Sequence, residues 1–174
     1  MRRAVAVGPD YRERVITYLT LLSSEAGRQT LSQIVEPERL AFELCRIWFD
    51  DIYIAGHRYF DGLKGDFSPD AAEVFRSAFT ASELAALERF SQFLELRLDM
   101  LPKSDLTSRR IPDNDTWRNF VKDARYLLED LDPHSKVRSR RLAEHLSAID
   151  ISDVQDLGDF VDTAVMTFDG QIDK

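Results

Sequence analysis

The stretch that decides the fold is Glu36–Leu63, which has the sequence EPERLAFELCRIWFDDIYIAGHRYFDGL. From about Pro37 to Ile54 its apolar residues recur at helical spacing on nearly every side. Charge is confined to one narrow edge, which consists of Arg39, Glu43, Arg46 and Asp50. Because a helix that is apolar almost all round is normally buried, the pattern predicts a central helix with other elements packed about it.

The rest of the chain also predicts helices, and no segment has the sustained alternating pattern of a strand. A first helix ends near Ser24, and a capping box from Thr80 to Glu83 opens a long helix. A second capping box, at residues 152–155, precedes the last helix. We therefore predict an all-α fold of about seven helices, a multi-helical bundle packed around the central buried helix at about 37–54.

A polar linker divides the chain into two portions. Residues 103–112 contain no apolar periodicity and are bracketed by prolines. We expect a helical bundle in residues 1–102, built on the central helix, and a three-helix portion in residues 113–174 that ends with an acidic helix. The two portions could share one hydrophobic core.

Composition and charge restrict the classes of function. The chain has 174 residues, of which 44% are hydrophobic and 31% are charged, as is typical of a globular protein. Its formal net charge is −8, and residues 142–174 hold eight acidic residues and one lysine. Phosphate groups repel such a segment, and the one basic cluster, at 136–141, has no interleaved aromatic residues to stack on bases. We therefore expect no nucleic-acid partner.

Membrane and redox signals are few. No segment approaches the roughly 20 apolar residues that span a membrane, so we expect no membrane partner. The single cysteine, Cys45, excludes an intrachain disulfide and fits a reduced setting. These features predict a cytoplasmic protein.

Asp51 is the first candidate for a functional residue, because it falls in the middle of an apolar stripe of the central helix. An ionised carboxylate is costly to bury, so it needs a cation or stays protonated. Arg97 lies on the apolar arc of the long helix, and we expect the two residues to form an ion pair between core helices. Such a pair could simply fix the register of the helices. It could also belong to a polar binding pocket that contains Glu43, Asp50 and His57.

No spacing in the sequence is typical of a metal site or of an activated nucleophile. The three histidines are scattered singly, at His57, His134 and His145. No Glu-x-x-His or His-x-x-x-His pattern occurs, and Cys45 has no adjacent histidine. We therefore predict no metal and no cofactor. The charged edge of the central helix is also explained by ion pairs of Arg46 with Glu43 and Asp50.

The last predicted helix carries its charge on the face opposite its apolar side. That acidic face consists of Asp156, Asp159 and Asp162. It either keeps the protein soluble or docks a basic partner protein through an attraction that weakens in salt.

Two functions remain open from the sequence. The first is a non-enzymatic interaction or regulatory protein, which binds a basic protein at the acidic face or uses an exposed aromatic patch near Tyr59–Phe67. The alternative is an enzyme or small-ligand-binding protein with a polar pocket around Asp51 and Arg97, walled by Trp48 and Tyr53. We favour the first because no catalytic spacing occurs. A homodimer built on leftover apolar helix faces stays open.

Overall fold

Eight α-helices make up the part of the chain that the computed structural model describes, which is residues 10–35, 40–54, 69–100, 115–132, 135–152 and 154–168. In chain order they are α1 (Tyr11–Ser23), α2 (Glu25–Ile34), α3 (Leu40–Ile47), α4 (Pro69–Ser77), α5 (Ala81–Met100), α6 (Asp115–Leu131), α7 (Ser135–Ala148) and α8 (Leu157–Phe168). The prediction of an all-α, multi-helical fold is confirmed, and no strand occurs in these ranges. None of these helices is long and apolar enough to cross a membrane.

Helix α1 lies at the centre of the packing. It contacts α2, α6, α7, α8 and the turn that follows α3, and residues 14–22 are all buried. The predicted central segment shares this position, because most of its residues from Leu44 to Ile54 are buried as well. Thr20, a polar residue of α1, tolerates burial because it has a partner within the helix. Thr20 Oγ1 donates to the carbonyl oxygen of Ile16 at 2.8 Å.

The segment after α3 does not continue as an α-helix to Ile54. Trp48–Ile52 form one turn of π-helix, which is closed by a 2.8 Å hydrogen bond from the amide of Tyr53 to the carbonyl oxygen of Trp48. A π turn adds one residue to the α-helical register, and such turns are frequent at functional sites. Here the rings of Trp48 and Tyr53 stack with centroids 5.6 Å apart and planes 5° apart. The predicted start of this helix, at 36–39, lies outside the described residues.

Buried polar side chains tie α1 to α3, and the π turn to α5. Tyr18 Oη donates to the carbonyl oxygen of Leu44 at 2.7 Å, and Trp48 Nε1 donates to Ser91 Oγ at 2.9 Å. Ser91 Oγ in turn donates to the carbonyl oxygen of Leu87 at 2.9 Å. A buried polar group without a partner costs about 1–3 kcal/mol, so these bonds favour one arrangement of the helices and the π turn.

One arginine at the start of α1 joins the start of α5, the end of α6 and the turn after α4. The guanidinium of Arg12 forms two 2.9 Å hydrogen bonds with the Glu83 carboxylate and donates to the carbonyl oxygens of Leu131, at 2.6 Å, and Ala78, at 3.3 Å. The predicted capping box at the start of α5 is confirmed. Thr80 N donates to Glu83 Oε2 at 2.8 Å, and Glu83 N donates to Thr80 Oγ1 at 3.1 Å. Hydrogen bonding to Arg12 lowers the pKa of Glu83.

Buried side chains from both predicted portions of the chain belong to one hydrophobic cluster. The first portion contributes Val15, Trp48 and Phe90, and the second contributes Trp117 and Phe160. Helix α6 packs against α1 and α5, while α8 packs against α1 and α3. The helices of the second portion therefore complete the core of the first.

Candidate functional site

The Asp51 carboxylate is half-buried where the π turn meets the first turn of α8. Gly158 in that first turn is so close that a Cβ atom there would lie 2.8 Å from Asp51 Oδ2. Burial raises the pKa of Asp51, the charges of Arg14 and Arg46 lower it, and two nearby carboxylates raise it. The net direction is upward, so the protein disfavours the ionised form of this carboxyl group.

Arg14 is a buried cation that contacts one residue of each predicted site, Asp51 of the pocket and Asp162 of the acidic face. Its Nη1 donates to the main-chain oxygen of Asp51 at 2.8 Å. Its Nε lies 2.8 Å from Asp162 Oδ1, and the two side chains form an ion pair. The N–H bond of Nε is not aligned with that oxygen for a hydrogen bond. We call Arg14, Asp51 and Asp162 the Arg14 cluster. This cluster links α1, the π turn and α8. Because a buried charge needs compensating partners, these contacts stabilise Arg14 in its buried position.

Glu43 and Asp50 are both engaged by Arg46. Arg46 Nη2 lies 2.6 Å from Glu43 Oε2, and Arg46 Nη1 lies 2.6 Å from Asp50 Oδ2. Hydrogen bonds to Glu43 and to Asp50 raise the pKa of Arg46. The predicted ion pairs between residues three and four apart are therefore confirmed for these residues, while Arg39 lies outside the described part of the chain.

Two members of the predicted pocket, Arg97 and His57, lie partly or wholly outside the described residues. Arg97 belongs to α5, but its side chain lies outside the described part of the structure, and His57 lies outside it altogether. The Asp51–Arg97 ion pair therefore stays a prediction. The expected pocket walls, Trp48 and Tyr53, are buried core residues.

Each residue of the predicted acidic face has a partner within the chain. Asp156 is the N-cap of α8, where its Oδ1 accepts from the amide of Asp159 at 2.8 Å. Asp159 Oδ2 accepts from the amide of Gln155 at 3.1 Å. Asp162 pairs with Arg14. Two of these carboxylates therefore stabilise the first turn of α8, where amide groups favour negative charge.

The capping box expected at 152–155 is wrong as the start of the last helix. Helix α8 begins at Leu157, and Asp156 caps it. An aspartate is as good an N-cap as a serine, so local sequence did not separate the two positions. Ser152 instead belongs to a preceding turn, in which its amide donates to Asp150 Oδ1 at 3.0 Å.

The described side chains form neither a metal site nor an activated thiol. Nowhere in the described ranges do three His, Cys, Asp or Glu side chains converge in a group that could hold a metal ion. Cys45 is buried, and burial raises the pKa of its thiol to about 12. The thiol therefore stays protonated at neutral pH and is a poor nucleophile. The Arg14 cluster is suited to ion pairing between helices.

An open groove of about 160 Å³ lies between α5 and α6, and we call it the α5–α6 groove. Its α5 wall consists of Ala86, Arg89, Phe90 and Phe93. Its α6 wall consists of Asp123, Tyr126, Leu127 and Asp130. Phe93 and Tyr126 are 48% and 55% exposed, and Leu96, one turn beyond Phe93, is 60% exposed. The groove therefore combines apolar rings with charged rims.

Another groove, of about 250 Å³, lies where the end of α1 meets α6 and α7, and we call it the α1–α6–α7 groove. It is lined by Thr20, Ser23, Ser24, Arg125, Leu128, Glu129 and Lys136. Arg125 Nη2 donates to the carbonyl oxygen of Ser23 at 3.4 Å, across the groove. Hydroxyl groups and two cations therefore meet in one concavity.

Sequence reasoning missed Arg14, although the sequence contains a signal for it. Arg14 shares a helical face with the buried residues Tyr11 and Tyr18, so it is an arginine within an apolar stripe. The exposed rings also have a signal. Phe93 and Leu96 widen the apolar arc of α5 beyond the face that its neighbours cover.

Similarity to known proteins does not assign any of these sites. The chain has no significant match among protein-family models, curated proteins or solved structures.

Proposed function

We propose that this protein acts without catalysis, by binding another protein in the α5–α6 groove. The observation that supports this proposal is the exposure of three neighbouring apolar side chains, Phe93, Leu96 and Tyr126. Large apolar side chains that lie together at the surface often mark an interaction site, whereas single exposed ones are common on any protein. Aromatic residues also contribute strongly to binding at the centres of interfaces.

The spacing of the lining residues supports a helical partner. On α5 the lining residues are 86, 89, 90 and 93, and on α6 they are 123, 126, 127 and 130. Each set covers one helical face over eight positions, so the groove extends for about 10 Å along both helices. A short amphipathic helix that lays its apolar side in the groove fits this shape.

The charges beside the groove favour a partner with basic residues. The α6 wall carries Asp123 and Asp130, while the α5 wall carries Arg89. The whole chain has a formal net charge of −8, which attracts basic proteins and repels a second copy of itself. The proposed partner is therefore a basic amphipathic helix of a different protein.

The other predicted binding regions receive less support. The carboxylates of the acidic face cap α8 or pair with Arg14, so a partner there would compete with contacts inside the chain. A pocket around Asp51 would compete with the backbone of α8, which approaches the carboxylate at Gly158. The aromatic patch expected at 59–67 lies outside the described residues.

The test is a pull-down from a lysate of the native host with the wild type, Tyr126→Ser and Met166→Ser as baits. Tyr126 and Met166 are 55% and 80% exposed, so both substitutions remove apolar surface without touching the core. Only Tyr126 lines the groove. We expect mass spectrometry to identify a protein that the wild type and Met166→Ser retain, and that Tyr126→Ser retains roughly tenfold less.

A second pair of baits tests the charge of the partner. Asp130→Asn and Glu144→Gln each remove one negative charge from an exposed position, but only Asp130 lines the groove. We expect Asp130→Asn alone to weaken retention and to reduce its sensitivity to salt. Equal retention by all baits, or a groove that mediates dimerisation of this chain, would contradict the proposal.

A further inference from the structure

The α1–α6–α7 groove has a local charge opposite to that of the molecule. Arg125 and Lys136 approach it from two different helices, and Glu129 is the acidic residue in its lining, so the lining has a net charge of +1. The whole chain has a formal net charge of −8. Anions are therefore attracted to this small basic concavity, while the acidic remainder of the surface repels them.

Hydrogen-bond donors converge on the same concavity. The 3.4 Å bond from Arg125 Nη2 to the carbonyl oxygen of Ser23 holds the guanidinium across the groove and uses one of its five N–H groups. Ser24 Oγ accepts from the amide of Gly27 at 3.0 Å, so its hydroxyl proton points away from that amide. These groups can donate to an oxyanion, whereas Thr20 Oγ1 already donates to Ile16.

The floor of the groove is apolar and the groove is small. Leu128 is buried and forms part of the lining. The volume of about 250 Å³ is below the roughly 300–1,000 Å³ of sites for drug-sized ligands. We propose that the groove binds a small organic anion, whose carboxylate lies between Arg125 and Lys136 and whose short apolar portion covers Leu128. Arg125 suits a carboxylate because its planar guanidinium can donate two parallel hydrogen bonds.

This site is independent of the proposed function. It lies on the other side of α6 and shares no lining residue with the α5–α6 groove. Loss of protein binding in one groove would therefore leave the other proposal standing.

The test is a titration of the full chain with isobutyrate, followed by the amide signals in a two-dimensional NMR spectrum at constant ionic strength. Isobutyramide is the neutral control of the same shape, and inorganic phosphate is an anion without an apolar portion. We expect saturable shifts at residues 20–24 and 125–129 with isobutyrate, and no saturation with isobutyramide. Phosphate that binds as tightly as isobutyrate would overturn the assignment of a carboxylate with an apolar portion.

Three substitutions test the roles of the charges. Arg125→Gln should weaken isobutyrate binding about tenfold or more, because a hydrogen bond to a charged group is lost. Arg118→Gln is the matched control on the same helix, since Arg118 pairs with Asp115 and does not line the groove, and it should change binding less than twofold. Glu129→Gln should tighten binding about two- to fivefold, because it removes a like charge. Equal binding by the wild type and Arg125→Gln, or weaker binding by Glu129→Gln, would refute the proposal.

Discussion

At the scale of single residues, Arg14 and Asp51 show how far a sequence predicts a buried charge. Asp51 is recognisable from the sequence because it interrupts an apolar stripe, and it is indeed half-buried. Of the two arginines whose charges act on Asp51, Arg46 is near in sequence, but Arg14 is 37 residues away along the chain. No local pattern connects two such positions, because the contact depends on how α1 packs against the π turn. The sequence therefore predicts the need for a partner but not its identity.

Asp51→Asn should make the protein slightly more stable at neutral pH. Burial raises the pKa of Asp51, so the folded state binds this proton more tightly than the unfolded state does. Ionisation of Asp51 therefore lowers the free energy of unfolding, and this effect sets in as the pH rises above about 3.9, the ordinary aspartate pKa. Because the group is partly exposed, we expect only a small gain at pH 7, below about 1 kcal/mol, and none at pH 3.

The measurement is urea unfolding of the wild type and of Asp51→Asn between pH 3 and pH 7. Asp50→Asn is the neighbouring control, because Asp50 pairs with Arg46 at 2.6 Å and its loss should not stabilise the protein. If the free energy of unfolding at pH 7 is lower for Asp51→Asn than for the wild type, the ionised carboxylate stabilises the fold and the prediction is wrong.

At the scale of the helices, the sequence predicts most elements because their signals are local. The capping box of α5 lies within four residues, and the structure confirms both of its hydrogen bonds. The start of α8 is misplaced because two N-cap candidates, Ser152 and Asp156, lie four residues apart. The π turn at Trp48–Ile52 is also missed, because the apolar spacing of this stretch is that of an ordinary α-helix.

Gly27 should be irreplaceable where α2 packs on α1. A Cβ atom at Gly27 would lie 2.9 Å from Leu21 Cα and 3.0 Å from its carbonyl oxygen, and these backbone atoms cannot move alone. Gly27→Ala should therefore lower the free energy of unfolding by about 1–3 kcal/mol, although alanine favours helix formation. Gly158→Ala is the matched control in the first turn of α8. There the close atom, Asp51 Oδ2, ends a side chain that can rotate, so the loss should stay below about 1 kcal/mol.

Thermal and urea unfolding of the two glycine variants check this prediction. A loss below about 1 kcal/mol for Gly27→Ala, no larger than that of Gly158→Ala, would contradict a packing role for Gly27. A loss confined to Gly27→Ala would confirm that the close approach of the two helices requires glycine.

At the scale of the whole molecule, negative charge and exposed apolar surface lie on different helices. Most of the excess negative charge of the sequence lies in residues 142–174, yet the described carboxylates of α8 have partners within the chain. The exposed apolar side chains beside the α5–α6 groove lie on α5 and α6 instead. Composition therefore identifies an acidic protein, whereas the place where a partner binds depends on which helix faces the fold leaves uncovered.

Hydrogen–deuterium exchange in the presence of a basic amphipathic peptide tests the central claim most directly. The probe is a helical peptide of about 14 residues, with leucines at positions i, i+3, i+4 and i+7 and lysines on its flanks. We expect slower exchange at residues 86–96 and 123–130, no change at 156–162, and loss of the effect in Tyr126→Ser but not in Met166→Ser. Protection confined to 156–162, or no protection in either region, would contradict the account.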